Sequence, residues 1–107
     1  MTATTVLGPS SVVMRAARGS DGDELRRLAR LDSKPGPRGE ILVAEVDGAI
    51  DAAIGLDDGI VIANPFRPTS ALIALLELRA GRAKRQRARR GLAERLRLRP
   101  APRARPA

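Results

Sequence analysis

Nine basic side chains, Arg82, Lys84, Arg85, Arg87, Arg89, Arg90, Arg95, Arg97 and Arg99, fall within one short stretch. The chemistry open to them is contact with phosphate, which releases counterions and is therefore salt-dependent and indifferent to base sequence. They occupy no single helical face, and no base-reading module accompanies them. Arg accounts for 18 of the 20 basic residues in the chain, and a coding sequence rich in G and C would yield the same mixture of Arg, Ala, Gly and Pro. Solvated charge without a ligand is thus the plain alternative. Contact with anionic lipid is a weaker option, because no aromatic anchors and few apolar residues lie among the arginines.

Other chemistry is sparse. Glu45 is the carboxylate placed to sit on a sheet face, where burial could tune it as a general base; at the end of a hairpin it can equally reach solvent. The chain contains no Cys and no His, which excludes a disulfide framework, thiolate or imidazole metal sites, a cysteine nucleophile and a Ser-His pair. No metal site is expected, and no catalytic residue can be assigned. Phe66 is the single aromatic residue, so there is no stacking platform for bases.

The elements that must position these residues occupy one small domain, since 107 residues cannot build two independent cores. Charge divides along the chain: residues 1–78 carry a net −3 and residues 79–107 a net +11. Basicity belongs to the C-terminal segment and not to the fold. Residues 1–11 read as a flexible arm, with no basic residue ahead of an apolar stretch as a secretory signal would need. The longest strongly apolar run, Ala71 to Leu76, is far below the ~20 residues that span a bilayer, so no transmembrane segment is expected and the location expected is cytoplasmic.

Residues 12–17, with Val12, Val13 and Met14, predict a strand. Ser20 with Asp23 resembles a capping box, and Leu25, Leu28 and Ala29 then recur at helical spacing up to Leu31. Pro35, Gly36, Pro37 and Gly39 require a loop. Ile41 to Val46, Asp47-Gly48 and Ala49 to Leu56 predict two strands around a type I′ turn. With Val46 opposite Ala49 and Val43 opposite Ala52, one face carries Ile41, Val43, Glu45, Ile50, Ala52 and Ile54, and the other Leu42, Ala44, Val46, Ala49, Asp51 and Ala53. Both are mainly apolar, so both need cover. Ile60 to Ala63 adds a third strand of this meander, and Thr69 or Ser70 caps a helix through Leu78. Gly81 and Gly91 weaken that helix, and Pro100, Pro102 and Pro106 exclude it.

Met14-Arg15-Ala16-Ala17, Asp21 and Leu25-Arg26-Arg27-Leu28-Ala29 resemble the first strand and helix of the GNAT superfamily of N-acetyltransferases. Leu42 to Gly48 with its following strands resembles the next hairpin and fourth strand of that fold. The resemblance covers residues 12–78 and implies acetyl-CoA as cofactor, held by backbone amides of a Gly-rich loop after the fourth strand. Here that segment reads Asn64-Pro65-Phe66-Arg67-Pro68-Thr69-Ser70-Ala71, without glycine, and Pro68 lacks an amide donor. Phe66, Arg67, Thr69 and Ser70 hold the vestigial cofactor position. Ala88 to Ala93 matches the motif superficially but follows no strand.

The expectation is an α+β domain of order β-α-β-β-β-α, a half GNAT-like fold with a small, mostly antiparallel sheet over residues 12–80 and a basic, disordered tail over 81–107. The function expected is association, as a homodimer or with a protein partner, without catalysis and without a cofactor. The alternatives are nucleic-acid binding through the Arg-rich segment, or an acetyl-CoA-dependent N-acetyltransferase completed by a partner subunit.

Overall fold

The computed structural model describes residues 3–7 and 10–98. Five strands form one antiparallel sheet in sequential order: β1 (Ala3–Leu7), β2 (Ser10–Ala16), β3 (Ile41–Val46), β4 (Ala49–Gly55) and β5 (Val61–Ala63). Helix α1 (Gly22–Leu31) is inserted between β2 and β3, and α2 (Ser70–Leu98) follows β5. From β2 onward the chain is the expected α+β domain. The N-terminal arm departs from expectation, because Ala3–Leu7 pairs along β2 from Ala3 opposite Met14 to Leu7 opposite Ser10. Edge pairing of this kind draws on backbone groups that no sequence pattern advertises.

The hairpin turn is as expected, with Asp47 and Gly48 at φ of 50° and 91°, the left-handed pair that a type I′ turn requires. Its register is not. Val46 faces Ala49 and Glu45 faces Ile50, but Ala44 then faces Ala52 and Val43 faces Ala53, leaving Asp51 as the extra residue of a β-bulge. One inserted residue exchanges the faces beyond it. Ala52 and Ile54 therefore join Leu42, Ala44 and Val46 beneath α2, whereas Ala53 joins Val43 and Ile50 beneath α1. The expected grouping of Ala52 and Ile54 with Val43 is corrected accordingly.

Each face is covered by a helix of the same chain. Leu28 and Ala29 of α1 pack on Val43, Ile50, Ala53 and Ile62, and Leu72, Leu76 and Ala80 of α2 pack on the opposite face. This double cover explains why every residue from Ile50 to Leu56 is buried. Two carboxylates fix α1 to the sheet: Glu24 Oε2 accepts the Ile50 N–H at 3.1 Å and Asp32 Oδ2 accepts the Ala63 N–H at 3.0 Å. The expected Ser20 cap is replaced by a 3₁₀ turn over Gly19–Asp21, in which the Asp21 carboxylate accepts the Arg18 N–H at 2.6 Å.

Helix α2 runs 29 residues, through both Gly81 and Gly91. The weakening expected at Gly81, roughly 1 kcal/mol, is offset by packing and by two ion pairs of Arg87, whereas Gly91 lies beyond both. Leu72, Leu76 and Ala80 bury against the sheet with Ala83 partly buried beside them, and Arg87 reaches back to Asp57 at 2.6 Å and Glu40 at 3.4 Å. The first part of the Arg-rich segment, 81–98, is accordingly helical. The disordered tail expected over 81–107 is corrected for 81–98, which is helix; Arg99 and the residues after it, the rest of that expected tail, lie outside the described residues.

Candidate functional site

The segment 64–71 joins β5 to α2, and three of its six backbone N–H groups are occupied. Asn64 N–H donates to the Asp51 carbonyl at 2.8 Å, Arg67 N–H to the Asn64 carbonyl at 3.3 Å, and Phe66 N–H to Asn64 Oδ1 at 2.9 Å. Pro65 and Pro68 have no N–H. Thr69, Ser70 and Ala71, at the head of α2, carry the amides that remain. Three amides at a helix start, without a glycine to admit close approach, do not fit a pyrophosphate cradle. Phe66 is 80 % exposed. Cavities of about 330, 200 and 400 Å³ lie elsewhere, and none is lined by these residues.

Arg67 has a structural partner. Its Nε lies 2.7 Å from Asp51 Oδ2, and the Asp51 side chain is only 5 % exposed. The pair is close enough for charge attraction but too poorly aligned for a hydrogen bond, so Oδ2 has no hydrogen-bond donor. The carboxylate at the bulge thus depends on Arg67 alone for compensation. Arg67→Ala is expected to cost about 1–3 kcal/mol, the range for leaving a buried polar group unpaired, while Arg67→Lys costs less. Equal urea midpoints for the wild type and Arg67→Ala would show that water already satisfies Asp51.

Glu45 belongs to a second ionic cluster. Arg15, on β2 and 8 % exposed, donates from Nη1 and Nη2 to the two oxygens of Asp21 at 2.7 and 2.9 Å, and from Nε to Glu45 Oε1 at 2.7 Å. The guanidinium fork matches the carboxylate plane, the geometry that makes Arg pairs strong. Arg15 holds the Asp21 carboxyl down to about 2, with the Arg18 N–H adding to the effect, and the two carboxylates raise the already basic Arg15 further. Glu45 is therefore an ion-pair member that joins β3 to β2 and not a free base. The signal was present in the six-residue step from Arg15 to Asp21, but the turn that closes the step is not encoded in spacing.

The basic residues sit on α2 beyond its packed half. Residues 84–90 and 92–97 are exposed throughout, and Arg87 is the one among them that pairs with a carboxylate among the described residues. Over 79–98 the helix carries nine basic residues and one acid, Glu94. At 3.6 residues per turn the basic side chains surround the axis, with no uncharged sector wider than about 80°. A helix laid on a core or bilayer needs an apolar stripe of at least ~100°. The expected sites Arg82, Lys84, Arg85, Arg89, Arg90, Arg95 and Arg97 are thus brought together along one rod. Ala88 to Ala93 lies inside this helix, so its likeness to a phosphate loop has no structural counterpart.

Among the described residues no helix is long and apolar enough to cross a membrane, and no cluster of His, Cys, Asp and Glu could hold a metal ion. No model of a known protein family matches the chain, and neither does any curated protein or any solved structure.

Proposed function

We propose that this chain is a binding protein without catalytic activity, in which a small α+β body carries a basic helix that engages the phosphates of nucleic acid. The observation that carries this reading is the distal half of α2, exposed over 84–90 and 92–97 and with a single acid among its basic residues. The element order β2-α1-β3-β4-β5-α2 is the one the GNAT resemblance implies, and it supports a GNAT-like body. The lack of glycine and the two prolines after β5 argue against acetyl-CoA chemistry in that body. Association through an uncovered apolar sheet is also less favoured, since α1 and α2 each cover one face.

The test is fluorescence anisotropy of labelled duplex DNA with the full chain between 50 and 200 mM salt. Each neutralised phosphate contributes about −0.9 to the log–log salt slope, so engagement of most of the exposed cations gives a slope of roughly −4 to −6. Replacing Arg82, Lys84, Arg89 and Arg95 by Gln is expected to bring it to about −2 or less in magnitude. Binding that ignores salt, or no binding at 50 mM, would refute the reading.

A further inference from the structure

The charges around α2 are not equivalent, because one side of the helix faces the body. Leu76 and Ala83 mark the sheet side. Relative to them, Leu92 lies on the opposite, outward side, nine residues and about 180° from Ala83. Arg82 and Arg89 project to one flank of this outward face and Lys84 and Arg95 to the other, with Arg85, Ala88, Leu92 and Leu96 along its centre. All of these are exposed, Leu92 by 53 % and Leu96 by 59 %. The back of the helix carries Arg87, which is held by Asp57 and Glu40, together with Arg90, Arg97 and the acid Glu94.

The outward face thus has two rails of positive charge separated by a strip of small and aliphatic side chains with one cation, Arg85, on its centre line. It contains no acid from Arg82 to Leu96, a length of about 21 Å at 1.5 Å per residue. A flat anionic surface would call for one charged face, and a single strand for charge without rails. Two rails flanking a narrow strip complement two phosphate strands flanking base edges. The major groove of B-form DNA, about 12 Å wide, admits one α-helix in this way, whereas that of A-form RNA is too deep and narrow.

Resting on the phosphate-binding reading above, we infer that the outward face of α2 seats in the major groove of duplex DNA. In that seating Arg82 and Arg89 contact one phosphate strand, Lys84 and Arg95 contact the other, and Leu92 and Leu96 lie over the base edges. Arg85, on the centre line, is the one cation of this strip placed to reach a base edge. The body stays outside the groove, held to the back of the helix by Arg87.

The experiment compares three double variants of the full chain on a 20-base-pair DNA duplex, the matching single strand and the matching RNA duplex. Circular dichroism controls for helix content, since Gln retains good helix propensity. Arg82→Gln/Arg89→Gln and Lys84→Gln/Arg95→Gln are each expected to lower duplex DNA affinity at least about tenfold and to reduce the salt slope by about 2. Arg90→Gln/Arg97→Gln, on the back, should change the slope by less than about 0.5, and the wild type should prefer duplex DNA to both other probes. Equal losses from all three variants, or equal binding of RNA duplex or single strand, would overturn the groove seating while leaving phosphate binding intact. Failure of the wild type to bind any of the three probes would overturn both.

Discussion

Replacing Arg15 by alanine is expected to lower the free energy of unfolding by about 3–5 kcal/mol, the usual loss when one member of a buried ion pair is removed. Asp21 is 8 % exposed and would keep only the Arg18 N–H as a partner. Glu45, whose side chain is 21 % exposed, can turn to water and contributes less. Against a stability of some 5–15 kcal/mol for a small domain, the loss places the variant near the edge of folding. A double variant, Arg15→Met/Asp21→Asn, should recover much of it, because removing both charges leaves no orphan.

Acid titration separates this mechanism from simple loss of packing. Asp21 has a carboxyl held at about 2 in the fold, below its ordinary value of 3.8. A carboxylate with a lowered folded value contributes stability that is fully present above the unfolded value and is lost as pH falls through the folded one. The contribution is at most about 2 kcal/mol, present above pH 4 and fading between pH 4 and 2. In Arg15→Ala the carboxyl is no longer held down, so protonation relieves the orphan and the difference between wild type and variant narrows over that window. Urea unfolding at pH 7 and pH 2.5 measures it; an equal difference at both would mean that Arg15 acts through its stem and not its charge.

Leu76→Ala is expected to cost about 2–5 kcal/mol. Leu76 is fully buried, in a cluster with Leu72 and Ala80 on the helix and Ala44, Ala52 and Ile54 on the sheet. Truncation would remove apolar contact and open a cavity in the centre of this cluster. Leu92→Ala, on the exposed side of the same helix, should fall within about 0.5 kcal/mol. Urea midpoints and amide exchange at Ile54 report the contrast. Similar costs for the two substitutions would place the wrong side of α2 on the sheet.

How far these features were legible depends on the range of the interactions behind them. The β3–β4 turn was legible because Asp47-Gly48 needs only its own backbone preference for positive φ. Helix α1 ends at Leu31 as expected, since Asp32 and the prolines and glycines beyond it act locally. The basic site residues were also legible as a set, because their charge does not depend on the fold. Their arrangement was not: rails, strip and back exist only once Leu76 and Ala83 fix which side of α2 meets the sheet.

The amino-acid sequence by itself determined the α+β order from β2 to α2, the separation of an acidic body from a basic segment, and the lack of glycine after β5. Each follows from residue type and near neighbours. The tertiary structure alone decided the bulge at Asp51, the closing of Arg15 on Asp21 and Glu45, the pairing of Ala3–Leu7 with β2, and the continuation of α2 through Gly81. Asp51 is tolerated in a buried strand only because Arg67 arrives from another loop, and α2 continues past Gly81 because sheet packing and Arg87 outweigh the cost of that glycine. These outcomes depend on contacts between residues far apart in the chain, whose free energies exceed local preferences of roughly 1 kcal/mol or less.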